Sequence, residues 1–170
     1  KTQFGGNITA LQYPVNEGHS FNSIIDLLQM KMLKYPEAGG KPEVLDIPAG
    51  ELAKAEKLQG ELIEKAAEAD ESLMEAFFEN GSLTEEQLEK GLKAGIISRG
   101  LYPVFCMSAK HNKGVGRLMD FICSSAPAPD EMPAILTLTG KELKCNSADP
   151  ASLQVVKVAV EEHLGEIAFF

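Results

Sequence analysis

The stretch from Leu101 to Pro127 constrains the fold more than any other. It opens on L-Y-P-V-F-C-M, seven nearly continuous apolar residues bounded by polar ones. Such a run reads as a strand buried on both faces, as in the parallel sheet of an α/β protein. The six polar residues S-A-K-H-N-K follow. Beyond them Val115, Leu118, Met119, Ile122 and Cys123 recur at three- and four-residue spacing, which predicts a helix with one apolar face that Pro127 ends. Strand, short loop and helix make half of a βαβ unit. In open α/β sheets ligands bind beyond the carboxyl ends of the strands, which is where Ser108, Ala109 and Lys110 fall.

Composition narrows the function. The 170 residues, 44% of them hydrophobic, can build one core of ordinary size or two small ones. A net charge of −9 with scattered basic residues opposes phosphate backbones, so no direct DNA binding is expected. Cys106, Cys123 and Cys145 are odd in number and widely spaced, with no histidine at metal-ligand spacing. This predicts a reducing, cytoplasmic setting, no metal site, and Cys106 and Cys123 as small core residues. No apolar run is long enough for a membrane span. His19, His111 and His163 fall in separate loops and read as surface residues.

Earlier in the chain, Ile8 to Val15 reads as a strand behind the Gly5-Gly6-Asn7 turn signal. Ser23 to Tyr35 alternates imperfectly; as a short run without caps it favours a strand pair or one long bent strand over a helix, a choice that periodicity alone does not settle, with Asp26 at a strand tip. Ala38 to Pro42 is a turn, and Glu43 to Ile47 a short strand. Pro48 is suited to opening a helix. Leu52, Ala55, Leu58, Leu62, Ala66, Leu73 and Phe77 then form one apolar stripe, broken near Asp70. Glu61, Glu64, Glu68, Glu71 and Glu75 form an acidic row opposite, at a cost of ~0.2 to 0.5 kcal/mol for each like-charged neighbour pair. Gly81 stops the helix. Thr84 with Gln87 predicts a capping box for the next one, whose apolar face is Leu88, Leu92 and Ile96. After Pro127 the proline-rich segment reads as an extended linker, and Leu136 to Pro150 has no convincing period. Ser152 to Val160 and Glu166 to Phe170 read as a hairpin.

Ser-Ala-Lys after a buried strand resembles the fifth sequence motif of the GTPase fold. The longer run C-M-S-A-K-H-N-K-G-V, followed by L-M-D-F-I and A-P-A-P-D-E-M-P-A, resembles elongation factor G, which reads close to C-G-S-A-F-K-N-K-G-V here. F-N-S-I-I-D-L-L-Q-M-K-M is similar to the start of that family's inserted G-prime subdomain. Met107, Lys110 and His111 depart from the family pattern, so the chain resembles a divergent member. The resemblance implies a mixed α/β fold: a partial P-loop-GTPase-type sheet, an inserted α+β subdomain and a truncated β-barrel hairpin. It places the end of the GTPase domain at 1–14 and 101–127, the G-prime subdomain at 15–100, a linker at 128–150 and the first hairpin of domain II at 151–170. The chain then reads as a fragment, whose exposed sheet edges invite pairing between copies.

By the same resemblance, Ser108, Ala109 and Lys110 contact guanine in the intact protein, which binds GTP and Mg. Glu64, Glu68 and Glu71 meet the C-terminal domain of the ribosomal stalk protein, making the ribosome the partner. The chain itself has no G-x-x-x-x-G-K-S/T phosphate loop, no D-x-x-G element and no N-K-x-D element, since Val115 stands where the aspartate would be. No catalytic residue and no cofactor are therefore expected in this chain, which reads as an interaction module. Two other readings are a retained guanine-nucleotide-binding piece and an acidic scaffold with no ribosomal role.

Overall fold

The computed structural model describes residues 5–170, in a mixed α/β fold with no closed barrel among them. In chain order the strands and helices are β1 (Ile8–Ala10), β2 (Gln12–Pro14), β3 (Ser23–Asp26), β4 (Lys31–Lys34), β5 (Glu43–Leu45), α1 (Ala49–Ala67), α2 (Glu71–Asn80), α3 (Glu85–Ile97), β6 (Tyr102–Val104) and α4 (Val115–Ser125). Then follow β7 (Ile135–Leu136), β8 (Glu142–Leu143), β9 (Lys157–Glu161) and β10 (Gly165–Phe169). The chain divides into two compact units, with the boundary between Ala128 and Pro129.

In the first unit β2, β3, β4 and β5 form an antiparallel meander in sequence order, while β1 pairs in parallel with β6. Leu11 joins the two sheets. Its N–H donates to Val104 O, its carbonyl accepts from Leu27 N, and its side chain is fully buried. The predicted strand over Ile8 to Val15 is thus split by a bend that lets one segment serve two ladders. The strand read over seven residues from Leu101 is likewise cut to three. Beyond Val104 the paired strand β1 has ended and the chain after it has turned away into β2, so the Cys106 N–H donates instead to the side-chain oxygen of Gln12 at 3.3 Å. Val104 is also 40% exposed, so this strand is not covered on both faces among the described residues.

The strand pair predicted between Ser23 and Tyr35 is the β3–β4 hairpin, and every residue of β3 is buried. Successive side chains on a strand point to opposite faces. Ile25 accordingly packs in a core with Leu11, Ala55, Leu62, Ala66 and Leu92, whereas Ile24 packs with Leu33 and Tyr35 against Phe21 and Cys106. Two cores share one hairpin.

The helical punctuation is local chemistry. Pro48 O accepts from the amides of Glu51 and Leu52 at the start of α1. Asp70 caps α2 by accepting from Ser72 N at 2.9 Å, and its other oxygen meets Lys90 Nζ at 3.1 Å. The Ser72 hydroxyl, which also donates to this carboxylate, and then the Lys90 hydrogen bond hold its carboxyl down to about 2. Gly81 ends α2 in the left-handed conformation, and Thr84 and Gln87 form the capping box of α3.

Helix α4 differs from its sequence reading. Phe121 and Ser125 are its buried residues, with Phe121 tilted against Phe105 at a centroid distance of 4.9 Å. Met119, Ile122 and Cys123 are exposed. The helix has apolar residues around much of its circumference, so spacing alone did not say which side meets the core. Cys123 is therefore no core residue, and Cys106 is only partly buried.

The second unit contains two hairpins, β7–β8 and β9–β10. The segment read as linker and aperiodic chain carries the first, closed by Gly140 N donating to Thr137 O. The strand read from Ser152 begins only at Lys157, and Leu153, Val155 and Val156 are exposed.

Tyr13 offers a pH test of the first unit. Its ring is buried beneath Lys54 Nζ at 4.0 Å, and its hydroxyl donates to Glu51 Oε2 at 3.1 Å. Burial, and then the hydrogen bond to the Glu51 carboxylate, push the phenol up to about 12. The unfolded chain ionises this group near 10. Its contribution to stability is therefore complete below pH 10 and is lost as pH rises toward 12. Denaturant midpoints measured across this range should fall, and Tyr13→Phe should flatten the decline.

Candidate functional site

The loop after β6 closes on itself. Ser108 N donates to Lys113 O at 2.8 Å and Lys113 N to Ser108 O at 3.0 Å, while Asn112 N reaches Ala109 O at 3.2 Å. Asn112 takes a left-handed φ of 47°, which asparagine tolerates better than most residues. This tight turn uses up the amide of Ser108. The amides of Ala109 and Lys110, both exposed residues, have no protein acceptor among the described residues. Two adjacent N–H donors beside an exposed ammonium can hydrogen-bond a carbonyl oxygen of a ligand. Of the three residues picked from the sequence, Ala109 and Lys110 carry the free backbone donors and Ser108 closes the turn.

The far limb of the loop is fixed. Lys113 is 8% exposed, and its Nζ donates to Phe21 O at 3.0 Å. Gly114, at φ 81°, starts α4, and a Cβ there would lie 2.5 Å from Cys106 O. Only glycine combines that backbone with so close an approach.

A buried polar cluster behind this loop escaped the sequence reading, which placed Asp26 simply at a strand tip. Asp26 Oδ2 accepts from Gln12 Nε2 at 2.9 Å and from Arg117 Nε at 2.8 Å. Its Oδ1 accepts from the amides of Leu28 and Gln29 at 3.1 and 3.0 Å. A carboxylate so fully engaged and fully buried is a structural tie rather than a base. It joins β2, β3 and α4, and through the Gln12 oxygen it reaches Cys106 just ahead of the loop. Asp26 and Arg117 lie far apart in the sequence, and neither has a local pattern that names the other.

The acidic row is split between two helices. Glu64 lies in α1, Glu68 is its C-cap residue, and Glu71 lies in the first turn of α2, so the five carboxylates do not continue along one helix face. All five are exposed. Glu71 suits the positive end of α2, but Glu68 sits at the negative end of α1, where a carboxylate is unfavourable unless paired. It is paired with Lys65, one turn back. On α2, Glu71, Glu75 and Phe78 stand at four- and three-residue steps, and Phe78 is 78% exposed.

Among the described residues no three His, Cys, Asp or Glu side chains come together to hold a metal ion, and no helix is long and apolar enough to cross a membrane.

No protein-family model matches the chain. Its fold is similar to that of a protein from Thermus thermophilus known by crystal structure, with a TM-score of 0.67 and 26% sequence identity. The match covers 96% of this chain but 22% of that one. What is shared is therefore the fold of nearly the whole chain with one segment of a much longer protein.

Proposed function

We propose that this chain is a segment of a ribosome-associated, GTP-binding translation factor of the elongation factor G type. Within it, the chain acts as an interaction module whose acidic residues on α1 and α2 meet the C-terminal domain of the ribosomal stalk protein. The observation that carries this reading is the turn built by S-A-K-H-N-K at the carboxyl end of a parallel strand, with the amides of the exposed Ala109 and Lys110 free of protein acceptors among the described residues. Its sequence resembles the guanine-contacting loop of that family, and its free donors suit a guanine carbonyl oxygen. The much greater length of the Thermus protein fits a chain that supplies one part of a larger machine.

GTP and Mg belong, on this reading, to the intact factor, since the phosphate-binding and magnesium elements lie outside these residues. This chain by itself is no enzyme. The acidic surface steers a basic partner more than it holds one, because exposed ion pairs contribute ~0.2 to 1 kcal/mol each and salt screens them over about 8 Å.

The test is a titration of the folded chain with the stalk domain at low and moderate salt, followed by NMR shifts. Binding should weaken with salt, and replacing Glu64, Glu68 and Glu71 together by lysine should weaken it about tenfold or more, the sum of three such pairs. An absence of shifts at low salt would reduce the acidic residues to a solvated surface.

A further inference from the structure

The loop that bears Ala109 and Lys110 is held from behind by a turn distant in sequence. Gly39 N donates to Pro36 O at 2.9 Å to close that turn, and Gly40 N then donates to Asn112 O at 2.8 Å. The approach is so close that a Cβ on Gly39 would lie 1.9 Å from His111 O and 3.0 Å from Asn112 O. Gly39 and Gly40 also have φ values of 75° and 93°, so a side chain at Gly39 is opposed both by its backbone and by its neighbour. The second hold is Lys113 Nζ on Phe21 O. Phe21 precedes β3 and Pro36 follows β4, so both holds come from the open end of one hairpin. The turn end of that hairpin is tied to α4 by Asp26 and Arg117.

His111, Asn112 and Lys113 are thus gripped, whereas Ala109 and Lys110 remain exposed with free amides. We propose that the Pro36–Gly40 turn and the Phe21 carbonyl form a brace that sets the direction of the Ala109 and Lys110 amides, making Gly39 and Lys113 positioning residues for recognition of a purine 6-oxo group. This rests on the guanine-binding reading of the loop. The hairpin fixes the far limb of the loop, so the near limb can meet a ligand without first being ordered, which saves conformational entropy on binding. Moving His111 O to make room for a methyl group would swing both donors together.

The experiment uses the full-length factor and two ligands, GDP and 2-aminopurine riboside 5′-diphosphate, which keeps the sugar, the phosphates and the 2-amino group but lacks the 6-oxo group. Calorimetry on Gly39→Ala should show GDP bound about tenfold more weakly, the effect of misdirecting one or two hydrogen bonds, with the analogue unchanged. Lys113→Met keeps the aliphatic stem and should act in the same sense to a smaller extent, and it carries the test if Gly39→Ala does not fold. If both variants bind both ligands like the wild type, the brace is refuted while the guanine reading stands. Equal weakening of both ligands also refutes it, because a general loss of structure does not single out the 6-oxo group. If the wild type itself binds GDP no better than the analogue, the guanine reading fails and the brace with it.

Discussion

Asp26→Ala should destabilise the first unit by about 3 to 5 kcal/mol, the cost of breaking a buried ion pair from one side. The carboxylate is fully buried, and the side chain of its partner Arg117 is only 16% exposed. Removing it leaves the guanidinium, the Gln12 amide and the N–H groups of Leu28 and Gln29 without their acceptor. All four present N–H groups to the carboxylate, and the one acceptor among them, the Gln12 side-chain oxygen, already takes the Cys106 N–H. Asp26→Asn sharpens the test. An asparagine oxygen can still accept from the two amides, but its NH2 then faces Gln12 Nε2 and Arg117 Nε, and the loss should approach that of alanine. Both are read from denaturant midpoints at constant slope. A loss below about 1 kcal/mol for Asp26→Ala would mean that water reaches the cluster and takes over its hydrogen bonds.

Leu62→Ala should cost about 2 to 5 kcal/mol, set by the lost transfer free energy and by how far the cavity collapses. Leu62 has no exposed surface and sits between Ala55 and Ala66 on the buried side of α1, in one core with Leu11, Ile25 and Leu92. Ala66 one turn on has no side chain to swing into the space, whereas the partly buried Leu58 one turn back can lean toward it, which argues for the middle of the range. Leu52 supplies the contrast. It belongs to the same apolar stripe in the sequence but is 41% exposed near the start of α1, so Leu52→Ala should lose far less. Equal midpoints for the two variants would contradict the buried face assigned to α1.

Where the deciding chemistry is local, the sequence was readable. Pro48, Gly81 and the Thr84–Gln87 pair act within one turn of themselves, and each does in the structure what its neighbours imply. The run from Leu101 to Pro127 pointed to an α/β sheet, and the mixed class with an inserted α+β part was implied by the family resemblance. Most of the failures needed a partner from elsewhere. Which side of α4 is buried depends on Phe105 and on what else packs there, and Phe121 prevailed over Met119, Ile122 and Cys123. The acidic row looked continuous because the three- and four-residue steps run on past Asp70, whose capping role divides it. In the candidate site Ser108, Ala109 and Lys110 could be picked out, but the grip of Gly40 on Asn112 and of Lys113 on Phe21 could not, because a hydrogen bond to a distant backbone carbonyl leaves no trace in the residue type of the acceptor.

The parallel pairing of Ile8 with Tyr102 also bears on the order of assembly. The β2–β5 meander joins strands that follow one another in the chain, and α1, α2 and α3 come next without interruption. Contacts of that kind form early, whereas joining β1 to β6 must first close everything between them. During synthesis the N-terminal part is also available first. The meander and its three helices can therefore begin to form before residues 101–117 have been made, and the loop that carries Ala109 and Lys110 is laid onto them afterwards, when Arg117 also arrives to pair Asp26.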